Sequence, residues 1–216
     1  MTTNLRSAGP ASSAITLGAG YFDSMYAASA DPWGFETRWY ERRKYAITMA
    51  LLPAERYHDA FEPGCSIGVL THQLAARCDR LLSCDLAEAA VRETRRRLAG
   101  QHQVRVEQWS IPAQWPSGRF DLIIFSEILY YFGDRDLRQV AELGETSLRP
   151  GGTLLAVHWR HPVAEYPQDG DTVHGVLRER PGLAALVSYH DPDFLADVFI
   201  KTDSAPRSVA QVAGLA

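Results

Sequence analysis

The chain has 216 residues, of which 46% are hydrophobic and 22% are charged. This composition is ordinary for a globular protein and argues against global disorder, and the length suits one well-buried domain better than two small ones. A formal net charge of −4 gives no overall electrostatic attraction to nucleic acid or to an anionic membrane. We therefore expect neither nucleic acid nor a membrane as a partner.

The three cysteines, Cys65, Cys78 and Cys84, form neither an even disulfide framework nor a Cys-x-x-Cys metal pair. They are predicted to be small buried thiols. The sequence shows no apolar run long enough to span a membrane and no secretory signal pattern, so we expect a cytoplasmic protein.

The two ends of the chain differ in composition from its centre. Residues 1–20 are rich in Ser, Thr, Ala and Gly and are predicted to form a mobile arm, and residues 203–216 are predicted to form a flexible tail. Residues 21–202 then form a single domain. Its front segment, residues 21–52, is dense in aromatic rings and charge and contains a predicted helix over Thr37–Leu52.

The centre of the chain alternates short apolar runs with amphipathic runs, which is typical of a parallel sheet covered by helices. The predicted strands are 58–62, 80–84, Val104–Gln108, Phe120–Phe125, Thr153–His158, 184–190 and 194–200. The predicted helices carry Leu70, Leu74 and Cys78, then Ala87, Val91, Arg95 and Leu98, and then span 134–148 and 172–180. The segment Asp191-Pro192-Asp193 predicts a hairpin turn between the last two strands.

A glycine turn follows the first predicted strand. Gly64 and Gly68 are spaced Gly-x-x-x-Gly between a strand and a helix, which is typical of a nucleotide-binding turn. Glu62 stands directly before this turn, where a pyrophosphate-binding loop normally avoids negative charge. The turn therefore favours a cationic nucleoside cofactor without phosphates. A plain tight turn between strand and helix is the alternative.

Polar residues also follow the second and third predicted strands. Asp85 could accept hydrogen bonds from two ribose hydroxyls, and it could equally cap the following helix. Ser110 and Ile111 could meet the edge and the face of an adenine, or could belong to an ordinary loop.

The ends of strands four and five supply candidates for the reacting end of the site. Glu127 and Tyr130 follow strand four, where a carboxylate and an aromatic face could meet a sulfonium or an ammonium. His158 closes strand five and forms a His-x-x-His pair with His161. No acid or cysteine partner stands at metal-ligand spacing, so we expect no metal. His158 could instead handle a proton or be a structural histidine.

The aromatic front segment could fold over the cofactor as a lid that excludes water. Trp33 is the candidate within it, although Trp33 could also serve only to pin the front helix to the sheet. Arg42 or Arg43 could pair with a carboxylate of the cofactor, since an arginine fork matches that group.

The run Glu62–Gly68, the strand-two Asp85 and the block Phe120–Phe132 together resemble class I S-adenosylmethionine-dependent methyltransferases, over roughly residues 35–200. Within that superfamily the chain looks most like the NodS-like group, the nodulation N-methyltransferases that act on the free amine of a deacetylated chitooligosaccharide. The subgroup is suggested by Asp31-Pro32-Trp33, Gly64-Cys65, Ser126-Glu127-Ile128-Leu129-Tyr130-Tyr131 and Asp193-Phe194-Leu195.

The resemblance implies an α/β fold that is Rossmann-like and doubly wound. It implies a mostly parallel seven-stranded sheet with an antiparallel C-terminal hairpin strand and helices on both faces. S-adenosylmethionine is the implied cofactor, S-adenosylhomocysteine the product, and no metal is required. The predicted cofactor-binding residues are Trp33, Arg43, Glu62, Gly64, Cys65, Gly68, Asp85, Leu86, Ser110, Ile111 and Ser126, and the predicted catalytic residues are Glu127, Tyr130 and His158.

One residue of the turn departs from the family pattern. Ser66 stands where the family often has a third glycine. Its Cβ is expected to narrow the turn, which puts cofactor affinity in question more than cofactor identity.

The acceptor is less constrained by the sequence than the cofactor. Methyl transfer from a sulfonium needs mainly alignment of the nucleophile, and a neutral amine is a competent nucleophile whereas a hydroxyl usually needs a general base. We therefore favour an amine over a hydroxyl as the small-molecule acceptor, and the resemblance implies that this amine belongs to an amino sugar. Three alternatives stay open: an O-methyltransferase of a small natural product, a nicotinamide-dependent dehydrogenase, and a non-catalytic nucleoside-binding module.

Overall fold

The structure, a computed structural model, describes residues 15–216. Its helices are α1 (Ala19–Ala28), α2 (Trp39–Leu51), α3 (Val69–Ala75), α4 (Glu88–Arg97), α5 (Asp134–Ser147), α6 (Gly170–Arg178) and α7 (Val209–Val212), and its strands are β1 (Tyr57–Pro63), β2 (Cys78–Asp85), β3 (Val104–Gln108), β4 (Phe120–Ser126), β5 (Leu148–Trp159), β6 (Leu183–His190) and β7 (Phe194–Lys201). A short 3₁₀ turn covers Leu129–Tyr131. None of the helices in these residues has the length and apolar character needed to cross a membrane.

Seven strands of the described residues form one sheet in the order β3-β2-β1-β4-β5-β7-β6. The first five pair in parallel, whereas β7 runs antiparallel to both β5 and β6. The strand order reverses between β1 and β4, so the carboxyl ends of these two strands flank a crevice where ligands bind in folds of this type. The predicted mostly parallel seven-stranded sheet with an antiparallel C-terminal hairpin strand is confirmed.

The central strand β4 shows how the sequence builds a core on both faces of the sheet. Ile123 and Phe125 pack in one apolar cluster with α5 and α6, whereas Leu122 and Ile124 pack in another with α2 and α3. Successive side chains of a strand point to opposite faces, so a strand that is covered on both sides needs a continuous apolar run. This is why helices lie on both faces.

Two of the predicted elements differ from the observed ones by more than two residues at one end. Cys78 was expected on a helix with Leu70 and Leu74, but α3 ends at Ala75 and Cys78 begins β2. Cys78 is completely buried, and a buried apolar residue at this position fits the spacing of a helix as well as that of a strand. The spacing of apolar residues alone therefore could not assign Cys78 to the helix or to the strand. The strand predicted over Thr153–His158 begins five residues earlier, at Leu148, and a register shift in its pairing with β4 accommodates the added residues.

The two ends of the chain were expected to be an arm and a tail. Residues 1–14 of the arm lie outside the described residues. From Thr16 onward the chain contacts the domain: the Leu17 N–H donates to the Tyr131 carbonyl at 2.9 Å, and α1 begins at Ala19. The expected arm boundary at residue 20 therefore falls inside a helix. The predicted tail contains the short helix α7.

The glycine turn after β1 requires its two glycines for steric reasons. Gly64 has φ 74° and Gly68 has φ 77°, both in the left-handed region that a Cβ disfavours. A Cβ on Gly64 would lie 2.6 Å from the Ile128 side chain, and one on Gly68 would lie 2.8 Å from Thr94. The backbone of the turn thus packs against the loop that follows β4 on one side and against α4 on the other.

We predict that Gly68→Ala lowers the free energy of unfolding by roughly 2–5 kcal/mol, since left-handed strain costs about 1–2 kcal/mol and overpacking about 1–3 kcal/mol. Gly151→Ala is the matched control, because Gly151 has φ 78° and nothing lies within 4 Å of its added Cβ. That control isolates backbone strain and is expected to cost about 1–2 kcal/mol. Urea unfolding of both variants measures the difference, and equal losses would contradict close packing at Gly68.

Candidate functional site

A cavity of about 960 Å³ opens at the carboxyl ends of the parallel strands, at the upper end of the range of small-molecule sites. Residues that follow β1, β2, β3, β4 and β5 line it, together with residues of α1 and α2. The structure brings the following predicted residues together on its wall: Trp33, Glu62, Gly64, Cys65, Asp85, Leu86, Ser110, Ile111, Ser126, Glu127 and Tyr130.

The charged side chains on the cavity wall are mostly acidic. They are Glu41, Glu62, Asp85, Glu127 and Asp136 against Arg38, Lys44 and Arg135. An excess of acidic groups around a partly enclosed space raises the local concentration of cations. The wall therefore favours a ligand that carries positive charge.

Glu62 is an acid kept out of water beside the cavity. Glu62 is the penultimate residue of β1 and has 2% of its surface exposed. The Ser83 hydroxyl donates a hydrogen bond to its Oε2 at 2.9 Å. Burial raises the pKa of the Glu62 carboxyl to about 7. Within residues 15–216 no basic side chain forms an ion pair with it. A cation placed here would stabilise the ionised form.

Asp85 holds the glycine turn and the start of α4 at the same time. Its Oδ2 accepts from the Ser66 N–H at 2.9 Å, and its Oδ1 accepts from the Ala87 N–H at 3.0 Å. Burial raises the pKa of Asp85 in spite of these hydrogen bonds. A carboxylate offers about four acceptor positions, so both oxygens can still accept from a ligand. Helix capping and ligand contact are thus compatible.

The loop after β3 forms an apolar wall of the cavity. Trp109, Ser110 and Ile111 all line it, and the Trp109 N–H donates to the Asp85 carbonyl at 3.0 Å. The Ser110 N–H donates to Gln114 Oε1 at 2.8 Å. A flat aromatic and aliphatic wall of this kind suits a planar base. Trp109 was not among the predicted residues, although an aromatic residue directly after a strand end was a usable signal.

Glu127 is the most highly connected acid on the wall. It follows β4 with φ 57°, a left-handed conformation that is uncommon for a residue with a Cβ and that clusters at functional sites. Its Oε1 accepts from Lys44 Nζ at 2.8 Å, while its Oε2 accepts from the Trp159 N–H at 3.2 Å and from the Tyr130 hydroxyl. These bonds fix the carboxylate beside the phenol of Tyr130.

Lys44 is a buried cation between two acids, and sequence reasoning missed it. Its Nζ lies 3.0 Å from Glu41 Oε2 and 2.8 Å from Glu127 Oε1. Burial lowers the pKa of Lys44, but the two carboxylates together outweigh that effect and the pKa is raised. Lys44 is therefore charged. The spacing of Glu41, Lys44, Tyr45 and Thr48 on one helix face was the available signal.

Helix α1 covers the cavity. Its Tyr26 hydroxyl and the Ser66 hydroxyl are 2.6 Å apart, and its Phe22 ring packs edge-on against Tyr131 with centroids 5.0 Å apart. Ser66 has φ 49°, so the serine adopts the left-handed conformation of a glycine and uses its hydroxyl to hold α1. Trp33 packs edge-on against Tyr26 while also lining the cavity, so it pins the front segment and faces the site at once.

Three predicted site residues do not line the cavity. Gly68 lies at the start of α3 and faces α4. Arg43 points to the hairpin turn, where its guanidinium pairs with Asp191 at 2.7 Å. Arg38, also on the front segment, lines the cavity and has no ion-pair partner among the described residues. Within the front segment it is the arginine in position to meet an anionic group of a ligand.

His158, the third of these residues, is completely buried behind the cavity wall. Its Nε2 lies 3.2 Å from the Leu129 N, its Nδ1 lies 3.1 Å from His174 Nε2, and His174 Nδ1 lies 2.7 Å from Asp197 Oδ2. The Leu129 amide can only donate, so His158 carries its proton on Nδ1 and donates to His174, which donates to Asp197. Burial, with His174 and Lys44 nearby, holds the pKa of His158 well below its usual value.

The His-x-x-His pair of the sequence does not converge. His161 is half-exposed and lies 2.8 Å from Asp193, while His158 faces the protein interior. Within the residues that the structure describes, no cluster of three or more His, Cys, Asp or Glu side chains could hold a metal ion. The three cysteines are buried and unpaired, as predicted.

Comparison with known proteins relates both the sequence and the fold to one family. Nodulation protein S of Rhizobium tropici is 32% identical over 130 residues, which are 59% of this chain and 55% of that protein. The chain thus spans about half the length of this relative. A solved candidate methyltransferase from Pseudomonas syringae is 47% identical with a TM-score of 0.68, covering 76% of this chain and 99% of that one.

The fold also matches a solved NodS structure. The N-methyltransferase NodS from Bradyrhizobium japonicum WM9, in complex with S-adenosylhomocysteine, superposes with a TM-score of 0.77 at 24% identity, covering 85% of this chain and 97% of that one. The family model for Nodulation protein S (NodS) matches residues 24–164. As the sequence predicted, this chain belongs to the NodS family.

Proposed function

We propose that the protein is an S-adenosylmethionine-dependent methyltransferase that methylates the free amine of a deacetylated chitooligosaccharide or a related amino sugar. The observation that carries the proposal is the pair of the buried Glu62 and the partly buried Asp85, two carboxylates at one cavity without a basic partner among the described residues. Uncompensated buried charge is costly, and a cationic nucleoside offsets that cost.

The cavity offers a partner for each part of that cofactor. Asp85 has acceptor positions left for the ribose hydroxyls, and the wall of Trp109 and Ile111 suits the adenine. Glu62 suits the ammonium of the methionine portion, and Arg38 suits its carboxylate. These residues lie at the ends of β1 and β2, follow β3 or precede α2, so the cofactor would lie across one half of the sheet edge.

The other half of the edge would hold the acceptor. Glu127, Tyr130, Tyr166 and Trp159 line the cavity there, and the rings of Tyr130 and Tyr166 stack with centroids 4.9 Å apart. Aromatic faces attract ammonium groups by about 0.5–2 kcal/mol and also stack on the apolar faces of sugars. The carboxylate of Glu127 adds charge complementary to an amine. This composition supports an amino-sugar acceptor.

A hydroxyl acceptor is the second candidate, and the contact between Glu127 and Tyr130 favours it. A carboxylate that is hydrogen-bonded to a phenol could take the proton that a hydroxyl must lose during methylation. Membership of the NodS family argues against the nicotinamide-dependent alternative. Turnover on any acceptor would exclude a purely non-catalytic module. A cytoplasmic location is part of the proposal, and the unpaired cysteines favour it.

The proposal predicts methyl transfer from labelled S-adenosylmethionine to fully deacetylated chitotetraose, with the label on nitrogen by mass spectrometry. The fully N-acetylated tetraose is the matched control, since its nitrogen is an amide and a poor nucleophile. Transfer to oxygen in both sugars would favour the second candidate. Calorimetric binding of NAD but not of S-adenosylhomocysteine would refute the cofactor assignment.

The raised pKa of Glu62, about 7, predicts a pH-dependent affinity for S-adenosylhomocysteine. Below pH 7 the carboxyl is largely protonated, so binding of the ligand's ammonium must release a proton. Affinity is therefore expected to rise with pH through 7 and to level off above it. Calorimetry one unit below and one unit above this pH, in buffers of different ionisation enthalpy, measures the released proton.

Glu62→Gln is expected to weaken S-adenosylhomocysteine binding roughly tenfold to hundredfold, because a hydrogen bond to a charged group is worth about 1.5–3 kcal/mol. The variant is also expected to lose the pH dependence. Glu142→Gln, on the exposed face of α5, is the control and should change neither property. Unchanged pH dependence in Glu62→Gln would show that another group binds the ammonium.

A further inference from the structure

The hydroxyl of Tyr40 is a buried polar group that forms no hydrogen bond with the described residues. Its oxygen is inaccessible to solvent and has no hydrogen-bond partner in the part of the chain that the structure describes. Buried polar atoms are almost always paired, so each exception calls for an explanation. Tyr40 lines the cavity, and the missing partner could therefore come from a ligand.

The position of Tyr40 places it on the acceptor half of the site. Its ring packs edge-on against Trp159, the last residue of β5, with centroids 5.4 Å apart. β5 is the second strand from β1, which ends beside Glu62. Neighbouring strands lie about 4.8 Å apart, so the two strand ends are separated by about 10 Å. Tyr40 thus lies beyond the end of the proposed cofactor site.

The charges around Tyr40 decide which ligand group its hydroxyl can meet. Burial, reinforced by Glu127 and Glu41, raises the pKa of Tyr40 well above its usual value, so the phenol keeps its proton. The two acids disfavour an anionic ligand group at this point. Lys44 Nζ lies 5.1 Å from the Tyr40 ring centroid and is already held by Glu41 and Glu127. A neutral or cationic nitrogen is the complementary group.

We propose that the Tyr40 hydroxyl positions the acceptor by accepting a hydrogen bond from its amine. This inference rests on the proposed methyltransferase function and goes beyond it by naming the group that orients the acceptor nitrogen. A primary amine has two N–H donors and one lone pair. A hydrogen bond from one N–H to Tyr40 orients the nitrogen and leaves the lone pair free for the methyl carbon.

The transfer step balances without any change in Tyr40. The nitrogen lone pair forms the new N–C bond while the S–C bond breaks and its electron pair returns to sulfur. The methylated ammonium then loses one proton, and the Glu127 carboxylate is the acceptor on the same wall. Tyr40 keeps its proton throughout, so it positions the substrate and does no acid–base chemistry.

The test is Tyr40→Phe, assayed for methyl transfer to fully deacetylated chitotetraose. We expect the KM for the tetraose to rise about tenfold while the KM for S-adenosylmethionine stays unchanged, since one hydrogen bond to the acceptor is lost. The Tm of the variant without ligand should equal or exceed that of the unmodified protein, because the hydroxyl it removes has no partner there.

Tyr57→Phe is the matched control. The buried Tyr57 hydroxyl accepts from the Ala54 N–H at 3.2 Å and lies outside the cavity, so this variant should lower the Tm and leave the tetraose KM unchanged. An unchanged tetraose KM in Tyr40→Phe, or a lowered Tm with both KM values raised, would overturn the inference while leaving the methyltransferase function standing. Failure of the unmodified protein to methylate the tetraose would overturn the proposed function itself.

Discussion

Two carboxylates at the ends of neighbouring strands, one buried and one partly buried, constrain the rest of this site. Glu62 and Asp85 face one cavity, and burial raises the pKa of both. Hydrogen bonds from Ser83, Ser66 and Ala87 satisfy part of their acceptor capacity but bring no positive charge. Ionised groups in such surroundings are unfavourable until a cation arrives. The cavity therefore lacks the positive charge that would stabilise these two carboxylates, and a cationic ligand would supply it.

In the opposite half of the same sheet edge, the carboxylates have a cationic partner within the protein. There the acids Glu41 and Glu127 share the buried cation Lys44, so part of their charge is compensated within the protein. A compensated carboxylate can be held in a strained conformation, and Glu127 has that conformation beside Tyr130. One half of the edge thus attracts a cation, whereas the other half presents a preorganised acid and aromatic rings.

The front segment connects the two halves. Helix α1 is held over the proposed cofactor end by the contact between Tyr26 and Ser66, and over the proposed acceptor end by the packing of Phe22 on Tyr131. Helix α2 supplies Tyr40, Glu41 and Lys44 to the proposed acceptor end. The same segment is part of the core, since Tyr45 and Leu52 pack in the apolar cluster that covers one face of the sheet.

The sequence by itself determined the sheet, its helices and most of the residues that line the proposed cofactor half of the cavity. Apolar runs such as Phe120–Phe125 and the glycine turn around Gly64 are local patterns, and the carboxyl ends of parallel strands must share one edge. Family membership followed from those same residues. The predicted roles of Arg43 and His158 rested on their position in the chain, and side-chain direction at those positions is not a local property.

Only the tertiary structure decided which charged and polar groups meet. The pairing of Lys44 with Glu127 spans 83 residues, the contact of Tyr26 with Ser66 spans 40, and that of Arg43 with Asp191 spans 148. Such contacts depend on how α1, α2 and the β6–β7 hairpin dock on the sheet. Docking is set by the shape and burial of whole faces, which no short sequence pattern encodes, so the acceptor half of the site became visible only in the folded chain.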